Sequence, residues 1–475
     1  MAGGGPPGGA EGPRVMEEPR ARGGLIRALG FVIFLSVLNG TMFNVSVPDI
    51  ASEFGLKPSA VSWVVTGYIV LFALGSLTYG RLADLAPVRN LITAGLVLLN
   101  AGSVMGLLSP WYPALVAARV VQAAGGSAIP ALAMLIATGY FPPHLRGRTL
   151  GVIASTVALS AGVGPILGGY ITGALGWRYL FVPPLATALA IPALRRHLPA
   201  GGGGRGLLRG FDALGALLVT GGAGLLLLAV TGTSWVALVA GSALLAAYLV
   251  HQRRAPEPFV KAALFARAPF RGVIAASFLS MGTVFGLMFM APIMLRDLEG
   301  LGAEWIGLAM FPGAIGAAVL GTLGGRLADR AGSARVVYLG ISLLVGGYVL
   351  LSTAAGHGAL AVCLGLVAPY AGFAFLQSAL PHTVSSTLSP GEMGTGMGLY
   401  NLFFFVSGAF SAAALGKLMD FAALGFNLNP FFASAEALNY RNLFVLLAVT
   451  AALSALVFRR AFPPREGDID SHKAP

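Results

Sequence analysis

The chain has 475 residues, of which 56% are hydrophobic and only 10% are charged. A soluble globular domain carries roughly 25% charged residues, so this composition excludes an ordinary soluble protein and indicates one embedded in a lipid bilayer. The formal net charge of +12 does not indicate a nucleic-acid partner, because the basic residues cluster in short loops between apolar runs.

The chain begins with a Gly- and Pro-rich segment and continues through fourteen apolar runs. Residues 1–25 are expected to be disordered, and no leader cleavage site is evident. A spanning helix needs about 20 apolar residues. Runs of that kind lie at 29–49, 60–80, 90–109, 112–139, 149–173, 177–194, 212–231, 234–251, 270–294, 303–324, 334–354, 358–387, 394–418 and 440–461.

The spacing of these runs predicts the domain organisation. Six runs form a first helical bundle at 26–198, and two tightly spaced runs form an inserted hairpin with its linkers at 199–267. Six more runs form a second bundle at 268–462, followed by a tail at 463–475. Arginines occur in alternate loops, as Arg146 and Arg148 do in the loop after the fourth run. Asp49 and Glu53 lie at a loop on the opposite side of the membrane. By the positive-inside rule both termini are cytoplasmic, in a bacterial cytoplasmic (inner/plasma) membrane.

One loop sequence occurs in both halves. GRLADLAPVR at 80–89 recurs as GRLADRAGSAR at 325–335, each time after the second run of its half. Repeated halves that meet at a mid-membrane site are typical of secondary transporters. Arg81 and Asp84 are three residues apart, so they can share a helix face and bind neighbouring helix ends. The simpler alternative is that these basic loops only anchor the topology.

Polar residues within the apolar runs indicate a cavity. Arg119 lies in AARVVQAAGG at 117–126, and an arginine at membrane depth needs a polar cavity or a partner. Because it is always protonated, it cannot carry an exchangeable proton; it can shift a neighbour's pKa or bind a ligand, unless it only snorkels from a helix end. The other candidate cavity residues are Asn39, Asn44, Thr66, Gln122, Gln377, Tyr400, Asn401 and Phe404, with Phe285 and Met288 as apolar contacts. Each could equally be a helix-packing residue.

These motifs resemble the major facilitator superfamily. Gly80, Arg81, Asp84 and Arg89 are similar to its loop between helices two and three, and Arg326 and Asp329 belong to the second copy. Arg119 with Gln122 is similar to its fourth-helix motif. GVGPILGG at 162–169 resembles the fifth-helix motif of drug antiporters, carried by Gly162, Gly164, Pro165, Gly168 and Gly169. NVSVPDI at 44–50, WRYLF at 177–181, RAPEPFV at 254–260, FPG at 311–313 and VSSTLSPGEMGTGMGLYN at 384–401 resemble the fourteen-helix branch, in particular the Gram-positive-type tetracycline efflux proteins.

The resemblance implies a fold and a function. The fold is all-α: two six-helix bundles related by a pseudo-two-fold repeat, plus an inserted two-helix hairpin, giving 14 transmembrane helices. The function is export of small amphipathic compounds, such as tetracycline-like antibiotics, by proton-linked alternating access. The loop with Arg81 and Asp84 would act as a conformational latch, and the fifth-helix motif would set the direction of transport. The implied partners are a small-molecule substrate, the lipid bilayer and protons, and the chain would act as a monomer.

The sequence departs from this branch where acids are expected. The positions in helices one, five and thirteen fall at Gly40, Ala161 and Gly408, and no acid lies in the middle of any run. Asn39 stands where multidrug relatives carry aspartate. The proton could use Asp49 or Asp84, or else His382, whose unperturbed pKa is near 6.5. Alternatively, the protein carries a neutral, anionic or lipid-like cargo without proton coupling of this kind.

Three functions therefore compete: a proton-coupled drug exporter, a lipid or metabolite transporter, and a membrane sensor that does not transport. The retained motifs argue against the sensor. No nucleotide-binding loop, metal-ligand cluster or catalytic triad is evident in the sequence, so we expect neither an enzyme nor a cofactor.

Overall fold

The structure is a computed structural model that describes residues 19–83, 86–141, 143–199, 212–232, 234–255, 258–259, 262–389, 392–420, 427–429 and 437–462. These residues form helices joined by turns, and no strand occurs among them. Helices suit an apolar chain because they satisfy the backbone hydrogen bonds internally. In chain order they are α1 (Pro19–Phe54), α2 (Pro58–Val61), α3 (Trp63–Leu82), α4 (Val88–Leu107), α5 (Tyr112–Gly126), α6 (Ala128–Gly139), α7 (Pro143–Leu175), α8 (Val182–Leu185), α9 (Ile191–His197), α10 (Ala213–Gly232), α11 (Trp235–His251), α12 (Ala268–Glu299), α13 (Ala303–Ala331), α14 (Ser333–Ala354), α15 (Ala359–Ser385), α16 (Met393–Asp420) and α17 (Leu438–Ala461). Short 3-10 helices occupy Trp177–Phe181, Ala186–Ala190 and Ala262–Ala266.

Eleven helical segments within the described residues are long and apolar enough to cross a membrane. They leave out α7, α11 and α13, which cover three of the fourteen predicted runs. Shorter apolar stretches occur there at Gly162–Leu175 and Trp235–His251. The multi-pass, all-helical architecture is therefore confirmed, whereas the total of fourteen spans stays a prediction.

The helices pack into two groups of sequential elements. Helices α1 to α9 form the first half, in which α1 packs on α7, and α3 and α4 pack on α5. Helices α12 to α17 form the second half, in which α15 packs on α13 and α14, and α12 packs on α16 and α17. The halves meet where α7 contacts α13, α3 contacts α16 and α1 contacts α12.

A hairpin of α10 and α11 lies against α3 of the first half and α16 of the second. Its two ends are joined at Asp212, which accepts hydrogen bonds from the Gly215 amide at 2.7 Å and the Phe259 amide at 2.9 Å. The same carboxylate pairs with His251 Nε2 at 2.6 Å. Burial works to raise the pKa of Asp212, but these hydrogen bonds outweigh it and hold the pKa below its usual value. The hairpin is thus fastened to the segment that leads into the second half.

Candidate functional site

The first half brings its polar residues together through a close approach of α4 and α5. At Gly102 an added Cβ would lie 2.5 Å from the Gln122 backbone nitrogen and 2.8 Å from the Ala118 carbonyl oxygen. Only a glycine permits this distance, because any side chain would push the helices apart. The approach places Gln122 against Ser103 of α4, whose hydroxyl accepts from Gln122 Nε2 at 2.8 Å.

Arg119 lies at the centre of this region and is only 1% exposed. Its Nε donates to the Val64 carbonyl at 3.2 Å, and its Nη1 donates to Gln122 Oε1 at 2.9 Å and to Asn39 Oδ1 at 3.4 Å. The guanidinium also contacts two aromatic rings, with Phe43 centred 4.0 Å away and Tyr68 centred 4.1 Å away. Aromatic faces attract cations, most strongly where water is excluded. We call Arg119, Asn39, Gln122, Tyr68 and Phe43 the Arg119 cluster.

The Arg119 cluster contains a positive charge without a paired carboxylate. Among the described residues, every polar partner of Arg119 is an amide or a carbonyl oxygen. Two buried polar groups of the cluster, Asn39 Nδ2 and the Tyr68 hydroxyl, face each other and make no hydrogen bond with any other group in the described structure. Buried polar groups usually have partners, so each such exception needs an explanation.

The three positions where the resemblance implies acids have different surroundings. A Cβ at Gly40 would lie 3.7 Å from Tyr68 Cε1, at the edge of the Arg119 cluster. A Cβ at Gly408 would lie 2.8 Å from Phe285 Cγ, so Phe285 fills the space that an acid would need. Ala161 lies in α7. The space beside Gly408 in α16 is therefore filled by an aromatic ring, whereas Gly40 in α1 lies next to the cluster that contains Arg119.

The other predicted cavity residues divide between the interface of the halves and more open positions. Thr66 donates a long hydrogen bond of 3.5 Å to the Ala409 carbonyl across the interface. Phe404 packs edge-on against Phe285, with ring centroids 5.2 Å apart. The remaining candidates are Tyr400, which is buried, Asn44 and Met288, which are half-buried, and Gln377 and Asn401, which are exposed.

Polar contacts join the halves at the end of the molecule that carries Asp49, which we call the Asp49 end. There the Asp49 carboxylate of α1 pairs with Arg296 of α12. The Ser59 amide donates to Asp420 Oδ1 of α16 at 3.2 Å. These contacts join α12 and α16 of the second half to α1 and α2 of the first half at this end.

The glycine motif of α7 lies between the halves. A Cβ at Gly168 would lie 2.6 Å from the carbonyl oxygen of Met42 in α1, within the first half. On its other side, Gly169 meets the backbone of Ala303 in α13, and the Pro165 carbonyl meets Gly307 of the same helix. Gly164 packs on Thr41, and Gly162 is buried. The motif thus permits backbone contact with both halves at once.

The predicted latch and proton residues are placed as follows. Gly80 and Arg81 lie in the last turn of α3, Arg89 lies in the first turn of α4, and Arg326 and Asp329 lie near the end of α13. Asp84 lies outside the described residues. His382 is exposed in the last turn of α15. Of the three proton candidates, Asp49 is the one with a described partner in the other half.

Several residues of this arrangement were not predicted from the sequence. Tyr68 and Phe43 carry no motif signal, since aromatic residues are common in apolar helices. Arg296 is adjacent to acids at the predicted outer end, and its partner Asp49 is 247 residues away in the chain. A basic residue at an otherwise acidic end is a signal that could have identified Arg296 as a partner.

Comparisons with known proteins agree with this architecture. The sequence model of the Major Facilitator Superfamily matches residues 29–202 and 184–412. The multidrug resistance protein B homolog of Mycobacterium tuberculosis is 27% identical over 445 residues, covering 87% of this chain and 79% of that protein. The multidrug transporter protein MdtP of Bacillus subtilis is 26% identical over 409 residues, covering 83% of this chain and 75% of that protein.

A solved structure shares the fold. The crystal structure of a bacterial homolog of the human lysosomal transporter Spinster, in an inward-facing and unoccupied conformation, superposes with a TM-score of 0.67. It is 17% identical, and the alignment covers 94% of this chain and 98% of that one.

Proposed function

Because the chain belongs to the major facilitator superfamily, we propose that this transporter exports small amphipathic compounds by alternating access, linked to protons. Its multidrug-transporter relatives support the choice of cargo class. We further propose fourteen transmembrane helices in a bacterial cytoplasmic membrane, with both termini cytoplasmic, and a monomer in which the α10–α11 hairpin lies beside the transport path. Tetracycline-like drugs are included among the candidate cargos.

The observation that carries this proposal is the closure at the Asp49 end. In alternating access, two halves separate at one end while they meet at the other. Contacts such as Asp49 with Arg296 and Gly169 with Ala303 join the halves at the end that the arginine distribution predicts to be outside. This supports an inward-facing conformation, the state named for the Spinster homolog. The other half of the cycle would break these contacts.

For the coupling proton, the three candidates differ in what protonation would change. Protonating Asp49 would remove the charge that holds Arg296, so it would directly weaken the closed end. Protonating His382 would add a charge at an exposed helix end, away from the described contacts between the halves. Asp49 is therefore the first candidate to test, followed by Asp84 and His382.

The alternative is a lipid or metabolite transporter that does not use protons in this way. The Arg119 cluster favours this alternative, since a buried arginine without a carboxylate does not suit a cationic drug. The missing acids at Gly40, Ala161 and Gly408 point in the same direction.

The deciding experiment uses purified protein in liposomes that contain a pH-sensitive dye, with a panel of cargos that includes tetracycline. Cargo movement with opposed proton flux, lost on Asp49→Asn, would support the coupled exporter with Asp49 as the proton site. Cargo movement without proton flux would support the alternative. No cargo movement in either direction would contradict both. Glu304→Gln, which also removes one negative charge, at an exposed position in the first turn of α13, serves as a charge-matched control.

A further inference from the structure

The Arg119 cluster has hydrogen-bond donors that the described structure leaves without acceptors. Arg119 has five N–H groups, and three of them donate, one through Nε and two through Nη1. None of these hydrogen bonds starts from its Nη2, and the buried Tyr68 hydroxyl and Asn39 Nδ2 have no partner beyond each other among the described residues. Three donors around one uncompensated positive charge are suited to an acceptor that carries negative charge.

The orientation of the Asn39 amide follows from its partner. Arg119 can only donate, so the Asn39 oxygen must face Nη1, and the amide nitrogen then faces the Tyr68 hydroxyl. Asn39 is fully buried, and Tyr68 is 5% exposed. Polar groups so deeply buried and without other partners are costly in the empty protein, and a bound oxygen atom would relieve that cost.

We infer that the Arg119 cluster binds the anionic group, such as a carboxylate, of an amphipathic cargo. One carboxylate oxygen would accept from Arg119 Nη2, and the other would accept from Asn39 Nδ2 and the Tyr68 hydroxyl. A neutral cargo would gain hydrogen bonds but no charge pairing, and a cationic cargo would be repelled by Arg119. This inference rests on the proposed transport function, because it identifies the cargo class of the same site.

The aromatic residues around the cluster suit the rest of an amphipathic cargo. Tyr68 stacks on Phe72 with ring centroids 5.6 Å apart, and Phe72 meets Phe405 of the second half at 5.3 Å. Phe405 in turn packs on Phe404, and Phe404 packs on Phe285, so a row of rings leads from the cluster into the second half. An apolar body could therefore lie along the rings while the anionic group reaches Arg119.

The test uses three probes that share one ring system and differ in charge: 2-naphthoate, 2-naphthamide and 2-naphthylmethylammonium. Binding to the full chain in lipid nanodiscs is measured by calorimetry at neutral pH, with empty nanodiscs subtracted. We expect naphthoate to bind more tightly than the amide, and the ammonium to bind most weakly. The dissociation constants of naphthoate and the ammonium should differ by at least about tenfold.

Two variants test the assignment of residues. Asn39→Asp places a carboxylate on Arg119 at an unchanged side-chain size, so naphthoate binding should weaken by about tenfold or more and the order of the probes should reverse. Tyr68→Phe removes a hydroxyl that has no partner but Asn39 in the described structure, so the melting temperature should hold while naphthoate binding falls by about tenfold. Asn90→Asp makes the same change in net charge at an exposed site and should bind like wild type.

The outcomes separate this inference from the transport proposal. The anion site would be overturned if the three probes bound equally tightly or if the ammonium bound most tightly. It would also be overturned if Asn39→Asp left the order of their affinities unchanged. Loss of fold in Asn39→Asp leaves Tyr68→Phe as the deciding variant. If the probes cross proteoliposomes with no preference for naphthoate, the transport proposal survives and the anion site fails. If naphthoate binds as expected but never crosses, the anion site survives and transport fails.

Discussion

The ion pair between Asp49 and Arg296 gives the sharpest prediction about the conformational cycle. Arg296→Gln removes the positive partner from α12 and leaves the Asp49 carboxylate of α1 without its charge partner. The two side chains are 28% and 34% exposed, between the surface and the interior. Exposed pairs contribute roughly 0.2–1 kcal/mol and buried pairs more, so we expect a loss of about 1–2 kcal/mol from the closed Asp49 end. That loss would lower the population of this conformation by a factor of roughly 5 to 30 relative to the alternative state.

The distance between spin labels at the Asp49 end measures this population. Labels at Lys57, in the first half, and Glu299, in the second, are introduced into a background in which Cys363, the single cysteine, is replaced by alanine. Wild type should give one short distance, and Arg296→Gln should add a longer one. Double electron–electron resonance resolves both distances and their proportions.

A double-mutant cycle decides whether the pair itself is responsible. If Asp49 and Arg296 act through each other, Asp49→Asn combined with Arg296→Gln should cost little more than either change alone. Exchange of the two charges, Asp49→Arg with Arg296→Asp, should restore much of the short distance. Additive effects in the double variant, or an unchanged distance in Arg296→Gln, would refute the reasoning.

Three further predictions concern other contacts. Gly169→Ala would drive a methyl group into the Ala303 carbonyl and should lengthen the same label distance; an unchanged distance would contradict close packing of α7 on α13. Asp212→Ala removes both the helix cap of α10 and the partner of His251, so the free energy of unfolding in a detergent titration should fall by about 1–3 kcal/mol; a change near zero would contradict the fastening of the hairpin. Hydrogen bonds from Arg267 lower the pKa of the Glu392 carboxyl to about 2, so its stabilising effect should be full above about pH 4.5 and disappear as the pH falls towards 2. The difference in melting temperature between wild type and Glu392→Gln should shrink over that range, and a constant difference would contradict the ionised pair.

The sequence was sufficient for the architecture because lipid imposes a simple rule on it. Long apolar runs must form helices, and the positions of the runs therefore predicted where the helices lie. The glycine motif at 162–169 was likewise recognisable by its resemblance, and its small residues are the kind that close helix packing requires. What it contacts was not predictable, because α13 lies more than 130 residues further along the chain.

The site was only partly predictable for a related reason. Arg119, Asn39 and Gln122 stood out as polar residues in apolar runs, and the structure joins them by hydrogen bonds. Tyr68 and Phe43 did not stand out, because an aromatic ring that holds a cation has the same composition signal as one that fills a core. The closing of Gly408 by Phe285 also depends on contact between two helices, which no local pattern contains.

The buried charge of Arg119 has a consequence for the membrane potential. When the empty transporter changes conformation, the positive charge of Arg119 moves without a counter-charge. When a monovalent anion is bound, the site as a whole is electrically neutral. Moving one elementary charge across the whole membrane field changes its free energy by about 2.3 kcal/mol per 100 mV. Moving it through a tenth of the field therefore changes its free energy by about 0.2 kcal/mol. An inside-negative voltage would therefore act on the empty step and favour the state in which Arg119 is electrically nearer the cytoplasm. Current recordings would then show charge movement without cargo, and anionic cargo would suppress it.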